Sequence, residues 1–241
     1  MSEKLAVISG GGTGIGAAIA AALSSAGYSV IIAGRRPEPL AAVASSRPGV
    51  EPVVADVSDP VQVGTVVAAV GDRPVDVLVN NAGGFVGANG STLDDVAAQW
   101  RATFDTNVMT AVVLTEALLP SLRRPGGRVI LMSSIAAQRG GGGPYSAAKA
   151  ALHGWVLDLA AAVGPSGITA NVISPGYIEA TEFFGARLTP AGHRARIDQT
   201  LVGRAGRPDD IASAVLWLAG ESGGYVTGQI INVNGGSVLG R

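Results

Sequence analysis

Short apolar runs alternate with longer helix-period segments along the whole chain, and this alternation constrains the fold more than any other feature. The runs lie at 5–9, 29–33, 52–55, 75–79, 128–132, 168–173 and 229–233. They are rich in Val and Ile and lack polar alternation, as strands do when both faces of a parallel sheet are covered. Between them, helical spacing occupies 14–26, 38–45, 60–70, 93–119, 144–163 and 208–219. Repeated β–α alternation predicts an α/β fold: a doubly wound parallel sheet of about seven strands, with right-handed crossovers and helices on both faces. No linker, repeat or low-complexity tract interrupts it, so residues 1–241 read as one domain. The stretch 177–207 carries no strand signal and mixes aromatics with charges. An excursion of that length is either a lid over a binding site or a pair of ordinary helices at the sheet edge.

Composition narrows the function. Apolar residues make up 47% of the chain and charged ones 15%, enough to bury a large core. A formal net charge of −1 gives no electrostatic reason to expect nucleic acid or a membrane surface as partner. The chain has no cysteine, which excludes disulfides and thiolate metal sites. Its two histidines, His153 and His193, are far apart in sequence, and no metal site is expected. The first apolar run is too short for a signal sequence and no run approaches a membrane span, so a soluble, cytoplasmic protein is expected.

Two local patterns carry chemistry. After the first run comes Ser9-Gly10-Gly11-Gly12-Thr13-Gly14-Ile15-Gly16, followed directly by an alanine-rich helical segment. A strand, a glycine turn and a helix N-terminus together form a pyrophosphate cradle: glycines let the backbone approach, while free N–H groups and the helix dipole favour the anion. The second pattern is Tyr145-Ser-Ala-Ala-Lys149. Residues i and i+4 share one helix face, and a lysine held there is expected to lower the tyrosine pKa. Pro144 suits the first helical turn, which puts Tyr145 near a helix N-terminus, where the dipole also favours a phenolate.

The glycine spacing, with Asn80-Asn81-Ala82-Gly83, Ser133-Ser134, Tyr145 with Lys149, Ser174-Pro175-Gly176, Gly203-Arg204-Ala205-Gly206-Arg207-Pro208 and Tyr225-Val226-Thr227-Gly228-Gln229, occurs in an order that resembles the short-chain dehydrogenase/reductase family. The resemblance runs nearly end to end and points to its compact single-domain branch, which includes 3-oxoacyl-carrier-protein reductases. It implies a Rossmann sheet binding a nicotinamide dinucleotide. The contacts would come from Gly10, Thr13, Gly14, Ile15, Gly16, Asn80, Ala82, Gly83, Tyr145, Lys149, Pro175, Gly176 and Ile178, with Asp56 and Val57 at the adenine. At the end of the second run, Gly34 stands where the family's NAD users usually carry aspartate, followed by Arg35 and Arg36. An arginine fork matches a 2′-phosphate, so NADP is expected and NAD is the less favoured cofactor.

The same resemblance implies Tyr145 as general acid or base, Lys149 as its partner, Ser134 as donor to the substrate carbonyl, and Asn107 as anchor of a relay water. Without the family pattern, Asn107 reads as a buried polar residue satisfying backbone groups, and Ser133 competes with Ser134. The segment from Ile135 to Pro144 is about two residues shorter than the family spacing and contains four consecutive glycines from Gly140. Residues 177–203 carry Phe183, Phe184 and Leu188 beside Arg187, Arg194 and Arg196, which suits a hydrophobic ketone or 3-oxoacyl thioester, free or carrier-bound. Those arginines and His193 read as a solvated surface. The expected activity is reduction of a carbonyl by NADPH; an oxidative alcohol dehydrogenase and a noncatalytic dinucleotide sensor are the rival readings. Family resemblance further implies a homotetramer, with 230–239, 93–119 and 144–163 as interface material.

Overall fold

The structure is a computed structural model that describes residues 4–87, 90–183, 185 and 188–239. Seven strands form one parallel sheet: β1 (Lys4–Ser9), β2 (Tyr28–Gly34), β3 (Val50–Val54), β4 (Val75–Asn80), β5 (Arg128–Met132), β6 (Thr169–Pro175) and β7 (Ile230–Val233). Their spatial order is β3-β2-β1-β4-β5-β6-β7. The order reverses between β1 and β4, the switch point outside whose carboxyl ends ligands bind in such sheets.

The strands feed both helix layers with alternate side chains. Leu5 and Val7 of β1, with Ile31 and Ala33 of β2, face α3 (Pro60–Val70), α5 (Thr110–Leu118) and α7 (Pro144–Val163) through Val66, Leu114 and Val156. Ala6, Ile8, Val30 and Ile32 face α1 (Gly14–Ser25), α2 (Pro37–Ser45) and α9 (Pro208–Ala219) through Ile19, Leu40 and Val215. A fully buried Leu or Ile contributes about 1.5–3 kcal/mol, so two such cores easily specify the strand register.

The structure corrects several expectations. β3 covers Val50–Val54, not 52–55, and β6 runs on to Pro175 so that Ser174 and Pro175 are strand residues. β3 and β7 are edge strands and are only partly covered, with Val54 54% exposed. The segment 93–119 is not one helix. It divides into α4 (Leu93–Phe104), a π-helical turn (Asp105–Met109) and α5. Threonine hydroxyls within it bond back to carbonyls four residues earlier, Thr103 to Gln99 and Thr110 to Thr106, and such insertions accompany helix irregularity. A short helix, α6 (Ala136–Arg139), occupies the glycine-bearing loop, and α8 (Pro190–Ile197) lies within the excursion.

That excursion is pinned at its base. Ile178 bridges Gly206 in parallel, with Glu179 N donating to the Gly206 carbonyl and Gly206 N to the Tyr177 carbonyl. Arg204 grips Asp210 of α9 with two hydrogen bonds of 2.7 and 2.9 Å, and that pairing first, with the Arg207 backbone N–H, holds the Asp210 carboxyl down at about 2. Among the described residues, no helix is long and apolar enough to cross a membrane.

Candidate active site

A cleft of about 1110 Å³ opens along the carboxyl ends of the strands, from Arg35 and Arg36 past the glycine turn to Tyr145. Gly10, at φ +66°, and Gly14, at φ +52°, adopt left-handed backbone angles that favour glycine. Gly16 serves another purpose: a Cβ there would stand 2.1 Å from the Gly10 carbonyl oxygen, so it permits α1 to pack on the turn, and unlike Gly10 and Gly14 it is not among the cleft-lining residues. Thr13 is the N-cap of α1 yet its side chain makes no capping hydrogen bond, and the first turn holds no acidic residue. The leading N–H groups of α1 therefore face the cleft with no capping side chain, a fitting seat for a pyrophosphate.

The β4 end completes this wall, with one exchange of roles. Asn81, rather than Asn80, ties it to the glycine turn: its amide donates to the carbonyls of Ser9 and Gly10 at 3.1 Å each, and Ser9 Oγ accepts from the N–H groups of Asn81 and Ala82. Asn80 is buried beneath, donating to Thr115 Oγ1 at 2.8 Å, and its side chain does not reach the cleft. Ala82, Gly83, Pro175, Gly176, Ile178, Thr13, Ile15 and Val57 all line the cleft. So does Asp56, whose burial is outweighed by hydrogen bonds from Ser58 and by Arg35 at 3.9 Å, leaving its carboxyl below its ordinary range. Arg36 pairs instead with Glu182 of the excursion at 2.6 Å.

At the other end, Pro144 occupies the first position of α7 and Tyr145 follows, buried, with its ring 5.4 Å from that of Phe183. Ser134 lines the cleft and hydrogen-bonds Tyr145, while its Oγ accepts from Ala136 N at 3.1 Å. Ser133 points away from this pairing: it is buried, donates to the Lys149 carbonyl at 2.9 Å, and meets His153 Nε2 at 2.9 Å. The choice between the two serines is thus made by packing.

Lys149 is buried too, and its Nζ donates to the Met132 carbonyl at 2.9 Å while standing 5.9 Å from the Tyr145 ring centroid. The expected lowering of the tyrosine pKa is not what this geometry produces. Burial pushes the Tyr145 phenol up to about 12, against a smaller opposing pull from Ser134, and burial pushes Lys149 down to about 8. Desolvation disfavours the charged form of each, and it exceeds the attraction that i, i+4 spacing alone suggested.

Asn107 lies in the π-helical turn, 1% exposed, with every polar atom engaged. Its amide donates to the carbonyls of Gly84 (2.8 Å) and Thr103 (3.0 Å), and its Oδ1 accepts from Gly84 N (3.0 Å). A Cβ on Gly83 would stand 2.7 Å from that Oδ1 and 2.8 Å from Lys149 Nζ, so Gly83 lets the two groups flank one backbone point.

Cleft residues outside the expected set include Phe85, Arg139, Tyr177 and Thr181, together with Arg196. Arg196 is not a solvated surface residue, since its guanidinium lies over the Tyr177 ring at 5.9 Å. Nor is His193 idle: its Nδ1 is hydrogen-bonded to the Tyr177 hydroxyl at 2.6 Å. Arg194 is exposed as expected, and Phe184 and Arg187 lie outside the described residues.

A doubly wound sheet with a glycine cradle at its switch point and a tyrosine, lysine and serine converging beside it defines a dinucleotide-dependent oxidoreductase. Comparison with known proteins makes the family definite. The family described as enoyl-(acyl carrier protein) reductase matches residues 10–237. Nodulation protein G of Azospirillum brasilense is 38% identical, covering 98% of each chain. Acetoacetyl-CoA reductase of Shinella zoogloeoides is 37% identical, covering 97% of this chain and 98% of that one. The 3-oxoacyl-[acyl-carrier-protein] reductase of Escherichia coli is 32% identical over 98% of both. A crystal structure of a short-chain dehydrogenase/reductase from Burkholderia thailandensis superposes with TM-score 0.89 at 32% identity, covering 100% of this chain and 95% of that one. The chain belongs to the short-chain dehydrogenase/reductase family and is an oxidoreductase with reductase relatives, which implies a nicotinamide cofactor.

Proposed function

We propose that this protein reduces a carbonyl group with NADPH, its substrate being a 3-oxoacyl thioester or a hydrophobic ketone. One observation carries the reading: Tyr145 and Ser134 meet on the wall of the cleft, where a phenol can give a proton to a substrate oxygen, and the relatives named as reductases favour that direction. When bound, the nicotinamide would supply the hydride. Ser134 would donate a hydrogen bond to the carbonyl oxygen and orient it toward Tyr145 Oη, which delivers the proton. Lys149, held by Met132 and flanking Gly83 with Asn107, would set the position of the cofactor ribose and of the water chain that returns a proton to Tyr145.

The cofactor choice rests on the end of β2, where Gly34, Arg35 and Arg36 offer guanidinium forks and no carboxylate. Two arginines there suit a 2′-phosphate better than ribose hydroxyls. The excursion from 177 to 207 would act as the substrate lid, with Phe183 laid against Tyr145 to exclude water. The thioester reading draws on the relatives that act on acetoacetyl-CoA and on 3-oxoacyl carrier protein by name. Exposed Val96 and Trp100 on α4 and Leu157 on α7 support self-association into the homotetramer expected from the sequence, which light scattering on the purified protein would test.

The test is NADPH and NADH oxidation across a panel of ketones and 3-oxoacyl thioesters. Turnover with NADPH preferred supports the reading. Tight NADPH binding without turnover of any carbonyl would instead mark a dinucleotide sensor.

A further inference from the structure

The substrate end of the cleft carries two guanidinium groups that the proposed chemistry does not use. Arg139 closes α6, and Arg196 lies in the last turn of α8; both line the same cleft as Tyr145. Gln199 ties the end of α6 to the segment just after α8. Its Oε1 accepts from an Arg139 guanidinium N–H at 2.8 Å, three residues along the chain from Arg196. Arg196 is set by a hydrogen bond to the Gly192 carbonyl at 2.9 Å and by the Tyr177 ring beneath it, which His193 fixes in turn.

The charge at this corner differs from that at the cofactor end. There, Arg35 stands beside Asp56 and Arg36 beside Glu182. Among the described residues, the ion pairs involve arginines other than Arg139, whose partner is a neutral amide oxygen. An amide holds a guanidinium in place without cancelling its charge, and leaves N–H groups of the fork for a carboxylate or phosphate oxygen. Glu179 acts on the Tyr177 hydroxyl together with Arg196, so the charge on which the corner turns is that of Arg139. Beside Arg139, Gly140 and Gly141 have no atom within 4 Å of where a Cβ would be, so no side chain covers the loop there, while Gly142 packs against Tyr145.

We propose that the cleft takes a carbonyl compound bearing an anionic group, a carboxylate or a phosphate, which Arg139 holds with Arg196 while the carbonyl meets Ser134 and Tyr145. The carbonyl half rests on the reductase reading; the anion half stands on the corner itself. Phe85 and Phe183 line the same cleft and suit the carbon chain between the two groups.

Matched substrate pairs test this: acetoacetate against ethyl acetoacetate for the carboxylate, and acetoacetyl-CoA against the neutral N-acetylcysteamine thioester for the phosphate. We expect the charged member of at least one pair to be preferred in kcat/KM by about tenfold or more, the size of a charge-assisted hydrogen bond. Arg139→Gln should erase that preference, and Arg139→Lys should retain part of it. Equal use of both members in both pairs by the natural protein would overturn the proposal, as would a proportional loss for both members in Arg139→Gln. Calorimetric titration of the NADP⁺-loaded protein with acetoacetate and its ester separates the two readings. If no carbonyl oxidises NADPH, the reductase reading falls, while tighter binding of acetoacetate, lost in Arg139→Gln, still upholds the anion corner. Equal binding of acetoacetate and ester, with no preference in the thioester pair, sinks it.

Discussion

At the glycine turn a Cβ on Gly16 would stand 2.1 Å from the Gly10 carbonyl, whereas on Gly140 or Gly141 it would meet nothing within 4 Å. Both regions are glycine-rich and both border one cleft, yet they use the residue for different reasons. Around Gly16 the backbone itself is the obstacle, because α1, β1 and the β4 end close on one another and Asn81 ties them together. In the α6–α7 loop, glycine supplies backbone angles, φ +76° at Gly140 and +87° at Gly141, over open space. The cofactor end is a packed fixture that tolerates little change. The substrate end sets charged and aromatic side chains, some exposed and some buried, on short elements and loops, so its specificity can vary without loss of the fold.

The largest expected effect falls on chemistry with the cradle untouched. Tyr145→Phe should lower kcat by about 10²–10⁴-fold, the usual worth of a general acid, with NADPH affinity little changed. Retained turnover in the 340 nm assay would remove Tyr145 from its assigned role. The glycine contrast itself comes next. Gly16→Ala meets a carbonyl that no rotamer change can relieve and should cost about 3 kcal/mol or more of stability, the upper end for overpacking. Gly141→Ala meets no atom and should cost about 1–2 kcal/mol, from the left-handed angle alone. Urea unfolding of the two variants, if it gave equal losses, would break the distinction.

At the cofactor end, Arg35→Ala with Arg36→Ala should raise the KM for NADPH about tenfold or more and leave NADH nearly unaffected, since charge-assisted contacts to the extra phosphate are lost. Equal effects on both cofactors would place the 2′-phosphate elsewhere. Stability against pH gives a smaller effect with a definite sign. Burial holds the folded-state Lys149 pKa at about 8, below its ordinary 10.5. Between those values the unfolded chain binds more protons, so the cofactor-free protein should gain stability as pH rises, by at most about 1.4 kcal/mol per unit. Tyr145 acts oppositely but only above about pH 10, where the unfolded phenol ionises and the folded one does not. Unfolding midpoints at pH 7.5 and 9.5 should therefore separate in the natural protein and converge in Lys149→Met. The smallest effect concerns Glu182, which shares Arg36 with any bound phosphate. Because the pair is well exposed, Glu182→Gln should lower the NADPH KM by only a few-fold.

The strands were legible because each is a short Val- and Ile-rich run covered by helices on both faces, and burial on two sides leaves a continuous apolar signature. Segment 93–119 was legible as helical but not as broken, because a single π-turn leaves the apolar period almost intact while shifting Asn107 inward. The four residues of α6 are too few for any periodicity to register. In the site, Gly10 and Gly14 were readable from the order strand, glycine turn, helix. Asn80 and Asn81 were not separable, since adjacent strand-end residues point to opposite sides and only the finished β4 end says which is which. Arg139 and Arg196 lie 57 positions apart in the chain, and no spacing rule connects them.

What the sequence determined by itself is the part held by local necessity: alternating elements, the glycine turn where a side chain would collide, and a tyrosine and lysine one helical turn apart. The tertiary structure decided the electrostatics of that pair. Spacing brings the ammonium near the phenol, but burial, a property of everything packed around them, raises the one and lowers the other. It also decided which charges face the substrate, because residues distant in the chain meet only after the sheet, α6 and α8 have packed.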